Sequence, residues 1–182
     1  MNTTYIIIAA VLILVIIVAV LWPMMSRRKR SERLQGQFGS EYDHTVQVLG
    51  DEKQAQTELE KRQKHVEALE IRPLTVNEHK RYLADWVVVQ SKFVDEPGQA
   101  VVDADRLITE VMRLRAYPIS DFEQRAADVS VSYPTLVSNY RAARVIALKN
   151  QEHQADTEEL RQAMIYYRSL FDELLVTDTV VV

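Results

Sequence analysis

Glu41 and His44 come nearest, by residue type and spacing, to a chemical site in this chain. On a helix, a Glu-x-x-His pair places a carboxylate and an imidazole on one face, as in di-iron helical bundles. Such bundles use two of these pairs and two further glutamates, and the nearest second pair here has Asn150 in the carboxylate's place before His153. The spacing therefore does not predict a metal site, and we expect Glu41 and His44 to lie on a solvated helix face.

Other catalytic signatures are missing from the sequence. It has no phosphate-binding glycine loop, no HExxH and no G-x-S-x-G, and without cysteine it has neither disulfides nor thiolate ligands. His65 and His79 lie among Lys, Arg and Glu and are expected to be surface residues. Neither an enzyme nor a cofactor site is predicted.

Aromatic residues at helical spacing could line a ligand groove: Tyr82, Trp86 and Phe93, or Tyr166, Tyr167 and Phe171. Such stripes more often belong to a hydrophobic core. The sequence does not separate the buried members from the exposed ones.

Residues 122–144 have the spacing of a helix-turn-helix, a corner with which some proteins read DNA. Ala126 and Leu136 take its anchor positions, and Ser130 takes the turn position usually given to glycine. Tyr133 and Pro134 begin the would-be recognition helix, where residues that hydrogen-bond base edges would read more sequence. The pattern is typical of any sharp corner between two helices, so we expect a structural role.

Arg141 and Arg144 are the candidate nucleic-acid contacts of this corner. DNA binding needs a surplus of positive charge, but residues 118–149 carry four basic side chains against three acidic ones. Nucleic acid is therefore not the expected partner, and replacing either arginine by alanine should cost little stability.

An apolar segment, 5–22, precedes all of these residues. Its 18 residues include no charged or amide side chain, and extended to Met25 it would form a helix of about 31 Å, enough to cross a hydrocarbon core of about 30 Å. A cleavable signal peptide would need positive charge before it and A-x-A residues after it, and the sequence has neither. The segment predicts a retained transmembrane anchor at 1–26.

Four basic residues follow the anchor at once: Arg27, Arg28, Lys29 and Arg30. Because positive charge stays inside, they predict a single-pass inner-membrane protein with its N-terminus outside and its C-terminal domain in the cytoplasm. The lipid bilayer is then its first partner. The cluster can also contact anionic headgroups, at about 1 kcal/mol per residue, although a role in topology alone is the simpler interpretation.

The charge changes sign after this cluster. The whole chain has a formal charge of −4, and 31–182 carries −8 because every acidic residue follows position 30. Glycines and prolines divide the chain into a basic juxtamembrane linker at 27–39, a charged helical stalk or short coiled coil at 40–70, a helical bundle at 71–176 and a flexible tail at 177–182.

Helical periodicity and capping motifs predict an all-α fold. Thr75-x-x-Glu78, Ser120-x-x-Glu123 and Asp156-x-x-Glu159 have the spacing of capping boxes. The last helix has the clearest apolar stripe, formed by Leu160, Met164, Tyr167, Phe171 and Leu174. The helix at 51–70 has a seam that Arg62 interrupts, so it either forms a stalk or packs onto the bundle.

Five stretches are distinctive together: "FGSEYDHTV" (38–46), "IRPL" (71–74), "ADRLITEVMRLRAYPISDFEQRAADVSV" (104–131), "NYRAA" (139–143) and "DTEELRQAMIYYRSLFDELL" (156–175). In them the chain resembles a family of uncharacterised bacterial single-pass membrane proteins. The resemblance spans nearly all of the chain after the anchor and implies the same architecture. It brings no activity, cofactor or catalytic residue onto this sequence.

We therefore expect a membrane protein that presents an acidic helical interaction or scaffold domain to the cytoplasm, with a protein partner that the sequence does not identify. The alternative is a membrane-tethered DNA-binding regulator that uses the corner at 122–144.

Overall fold

The computed structural model describes residues 28–176, and the predicted all-α fold is confirmed there, since this part of the chain contains no strand. Eight helices make up the described residues: α1 at 28–38, α2 Ser40–Leu49, α3 Glu52–Glu67, α4 Val76–Lys92, α5 Pro97–Leu114, α6 Phe122–Ser132, α7 Val137–Gln151 and α8 Thr157–Leu175. The predicted tail at 177–182 lies outside the described residues.

Two of the three predicted capping boxes are confirmed. Thr75 begins α4 and Asp156 begins α8, each with the reciprocal side-chain and backbone bonds of the motif. The third prediction, at Ser120, is wrong because α6 begins one residue later. Its cap is Asp121, whose carboxylate accepts the backbone N–H of Gln124 at 2.9 Å.

The main hydrophobic core lies among α4, α5, α6, α7 and α8, which we call the bundle. All five residues of the predicted apolar stripe on α8 are buried. The rings of Trp86 and Phe171 stack with their centroids 4.6 Å apart and join α4 to α8. Both helices also pack against α5, which therefore occupies the middle of the bundle.

The first three helices form a smaller unit, which we call the N-terminal layer. Gly39 and Gly50 follow α1 and α2 with φ angles of 52° and 68°, a left-handed conformation that glycine adopts without strain. The chain reverses at these points, and a second apolar cluster forms from Leu34, Phe38, Tyr42 and Leu59. Of the two arrangements considered for α3, packing onto the bundle is the one observed, since α3 contacts α6 and α2 contacts α7.

No helix among residues 28–176 is both long and apolar enough to cross a membrane. The longest, α8, carries charged residues along its whole length, from Glu158 to Glu173. This finding corrects the predicted location, a single-pass inner-membrane protein with its N-terminus outside and its C-terminal domain in the cytoplasm. The apolar segment 5–22, from which the anchor at 1–26 was predicted, lies outside the described residues.

Candidate interaction surfaces

A groove of about 560 Å³ runs between α4 and α8, and we call it the tryptophan groove. Both helices contribute apolar side chains to its surface, and the polar side chains of one glutamine and two arginines line it as well. The lining residues are Trp86, Gln90, Phe93, Arg161, Met164, Ile165 and Arg168. Trp86 and Met164 are buried, whereas the Ile165 side chain is 46% exposed and stands free for a contact.

Helical periodicity explains why these residues meet. Trp86, Gln90 and Phe93 recur on α4 at spacings of four and three, and Arg161, Met164, Ile165 and Arg168 recur in the same way on α8. Each helix therefore presents one continuous stripe to the groove. The stacked rings of Trp86 and Phe171 hold the two helices at this separation.

Both ionisable side chains that line the tryptophan groove are arginines. The guanidinium of Arg168 lies over the Trp86 ring, 5.5 Å from its centroid, and its Nε donates to Asp172 at 2.7 Å. Arg161 donates to Glu158 on the same helix, and these bonds lower the pKa of the Glu158 carboxyl. Both ion pairs are exposed, so each contributes little to stability and exchanges readily for another carboxylate.

The predicted membrane-surface cluster is divided in the structure. Arg28 and Lys29 are exposed, while Arg30 is half-buried and bonded to both carboxylate oxygens of Glu60, at 2.9 and 2.7 Å. Arg27 lies outside the described residues. At least one of the four basic residues, Arg30, therefore has a structural role in the N-terminal layer, where it links α1 to α3.

The predicted corner is present, with a turn at 133–136 between α6 and α7, but its two candidate nucleic-acid contacts are engaged inside the protein. Arg141 donates to Glu41 at 2.7 Å. Arg144 lies 3.8 Å from an Asp105 oxygen and 5.5 Å from the Phe122 ring centroid. If either arginine moved to neutralise a phosphate, its carboxylate partner would lose its counter-charge. Because Arg141 is the partner of Glu41, we no longer expect its replacement by alanine to cost little stability.

Glu41 is buried, which corrects the expectation that it lies on a solvated helix face. Its side chain is 2% exposed, and each of its carboxylate oxygens accepts from one arginine, Arg62 of α3 at 2.9 Å and Arg141 of α7 at 2.7 Å. Its helix neighbour His44 is half-buried. The carboxylate is fully occupied as an ion-pair partner, and no group of three potential metal ligands occurs within residues 28–176.

A second polar contact joins the N-terminal layer to the bundle. Asp128 of α6 is buried; its Oδ1 accepts from Gln124 at 2.9 Å and lies 3.7 Å from Nε2 of His65 on α3. Burial raises the pKa of the Asp128 carboxyl above its ordinary value, while the bond from Gln124 acts in the opposite direction. This pair was not predictable from the sequence, because its members lie on helices far apart in the chain.

The structure shows which of the aromatic residues belong to the core and which line a groove. Tyr82, Trp86, Tyr167 and Phe171 are buried in the core, and Trp86 also lines the tryptophan groove together with Phe93. Arg161 and Arg168 were not expected at a site, and their spacing to Met164 and Ile165 was the available signal.

Comparison of the chain with models of protein families, with curated proteins and with solved structures finds no match.

Proposed function

We propose that the bundle is a protein-interaction module whose tryptophan groove binds an amphipathic helix with acidic flanks. The observation that best supports this proposal is the composition of the groove, which has an apolar surface edged by two arginines in a chain of net negative charge. No carboxylate of the described residues lines this groove. A helix that buries leucine-like side chains on Ile165 and Met164 can bring its own carboxylates to Arg161 and Arg168.

Arginines beside exposed apolar groups recur at the centres of protein interfaces, where they account for much of the binding energy. The exposed partners of the two arginines, Glu158 and Asp172, contribute little to folding, so exchanging them for a ligand carboxylate costs little. Arg168 also remains over the Trp86 ring, which keeps its guanidinium oriented.

A direct binding experiment tests the proposal. Trp86 and Trp22 are the two tryptophans, so the full chain carrying Trp22→Phe reports on Trp86 alone by fluorescence. The probes are two synthetic helical peptides with the same leucine face, one flanked by glutamates and the other by lysines. We expect saturable binding of the glutamate peptide and at least about tenfold weaker binding of the lysine peptide.

Two variants locate the binding. Ile165→Asp places a carboxylate in the groove and should abolish binding of the glutamate peptide, and Val145→Asp, at an exposed position on α7, should leave it unchanged. Equal binding of the two peptides, or binding that survives Ile165→Asp, would contradict the proposed function.

A further inference from the structure

We propose that the N-terminal layer is a pH-sensitive cover of α6, which is most firmly closed at acidic pH and opens from the bundle as the pH rises. The group responsible is Asp128 of α6, which lies at the contact with α3. Its side chain is 1% exposed, so its carboxyl is hydrated only when this contact opens. The tryptophan groove is formed by α4 and α8, so the cover is separate from the proposed binding site.

The hydrogen bonding of Asp128 is incomplete in the closed arrangement. Its Oδ1 accepts from the side-chain amide of Gln124 at 2.9 Å, whereas its Oδ2 is buried and accepts no hydrogen bond from any of residues 28–176. An ionised carboxylate that loses water needs donors for both oxygens, and a neutral carboxyl needs fewer. Ionisation of Asp128 therefore destabilises the closed arrangement and leaves the open one unaffected.

The charged groups that face Asp128 do not remove this cost. From α3, Nε2 of His65 lies 3.7 Å from Oδ1, beyond hydrogen-bond distance, and Arg62 donates instead to Glu41 and Glu58. From α7, which also packs against α6, Arg141 is bound to Glu41, and Arg144 is paired with Asp105. His65 and Arg62 are the charged residues that favour the ionised form of Asp128, and they act on it without a hydrogen bond.

Glu41, the other buried carboxylate at this contact, permits the opening. When the layer moves away, Glu41 separates from Arg141 of α7 but keeps Arg62, which belongs to the same layer. Arg141 in turn keeps Glu123 of α6, 3.9 Å away. Neither charge is left without a counter-charge, so the contact can open while both regions remain folded.

The direction of the response follows from the buried state of Asp128. Burial raises the pKa of this carboxyl in the closed protein, whereas hydration in the open form returns it towards its ordinary value. The stabilisation of the closed form by protonation is therefore fully present below about pH 3.8 and is lost as the pH rises through the raised pKa. Since one unit of pKa corresponds to about a tenfold change in an equilibrium constant, we expect the opening constant to rise at least about threefold between about pH 4 and about pH 7.5.

Amide hydrogen exchange of the full chain, corrected for the intrinsic exchange rate at each pH, measures this opening constant. We expect the amides of α1, α2 and α3 to share one opening that is easier than the opening of α5 and α8, and to show the rise with pH. Asp128→Asn should abolish the rise, because its side chain does not ionise. Asp43→Asn is the matched control, since Asp43 is an exposed acid of the layer, and it should keep the rise.

Glu41→Gln separates the two buried carboxylates. It weakens the bonds to both arginines, so it should increase opening at every pH while the rise persists, because Asp128 is unchanged. A rise that survives Asp128→Asn, or that His65→Gln removes while Asp128→Asn does not, would refute the role of Asp128. Exchange of the layer and of α5 and α8 through one common opening would show that the layer does not open separately and would overturn the proposal.

Discussion

The bundle and the N-terminal layer are held together in different ways. The bundle has a continuous apolar core in which Trp86 stacks on Phe171. The N-terminal layer has a much smaller apolar cluster, against which Val131 of α6 packs, and buried polar contacts also join it to the bundle, with Glu41 between two arginines and Asp128 beside His65. Removing apolar side-chain volume destabilises a core in proportion to the volume lost, whereas a buried charge that loses its partner incurs the whole cost of its desolvation. The two regions should therefore respond differently to mutation and to pH.

Phe171→Ala should have the largest effect, because it removes a fully buried ring from the bundle core together with its stacking on Trp86. We expect a loss of about 3 to 5 kcal/mol in the free energy of unfolding, measured by urea denaturation. A loss below about 1 kcal/mol would show that the core is not the main source of stability.

Glu41→Ala should cost about 2 kcal/mol, because Arg62 and Arg141 lose a carboxylate that is 2% exposed. Asp43→Ala is the control, since Asp43 is an exposed acid on the same helix and should change stability by about 0.5 kcal/mol or less. In a double-mutant cycle, Glu41→Ala and Arg141→Ala should show a coupling energy of about 1 kcal/mol or more. Simple additivity of the two costs would mean that the bond does not join the regions.

The two regions can also be compared through matched helix caps. Asp51 caps α3 with one bond to the N–H of Gln54, and Thr75 caps α4 in a box with Glu78. Hydrogen bonds from Arg72 and from the N–H of Thr75 lower the pKa of Glu78 to about 2, so this carboxyl stays ionised down to strongly acidic pH. Replacing either cap by alanine should cost about 1 kcal/mol. Amide exchange should rise in the N-terminal layer alone for Asp51→Ala, and exchange that rises equally in both regions would show that they open as one unit.

Asp128→Asn should have the smallest effect and the one that depends on pH. Burial raises the pKa of Asp128 in the folded protein, so folding favours the protonated carboxyl. The stability that this protonation contributes is fully present below about pH 3.8, the ordinary pKa of an aspartate, and is lost as the pH rises through the raised pKa of the folded state. The asparagine variant should therefore be more stable than wild type at neutral pH, with the difference shrinking towards pH 4. His65 and Arg62 of α3 face this carboxyl and limit the effect. A variant less stable than wild type at neutral pH would indicate that the pairing with His65 outweighs burial.

Local signals predicted much of this fold. The apolar stripe on α8 and the boxes at Thr75 and Asp156 depend on residues three or four positions apart, so one helix contains the whole pattern. The box at Ser120 failed because Asp121, the next residue, caps equally well.

The environment of Glu41 was not predictable in this way. Its bond to Arg141 joins residues 100 positions apart, and no periodicity within α2 reports such a partner. The tryptophan groove was only partly predictable, since Trp86 and Phe171 are both buried aromatic residues at helical spacing, yet only Trp86 lines the groove.

The long separation of Glu41 and Arg141 also has a consequence for the order of folding. A bond that closes a loop of 100 residues is entropically costly until the elements between its ends have condensed, so it should form after the bundle. Glu41→Ala should then leave the refolding rate nearly unchanged and express its cost as faster unfolding, with a φ-value near zero. The N-terminal layer would thus dock after the bundle has folded and would slow the unfolding of the bundle without speeding its folding.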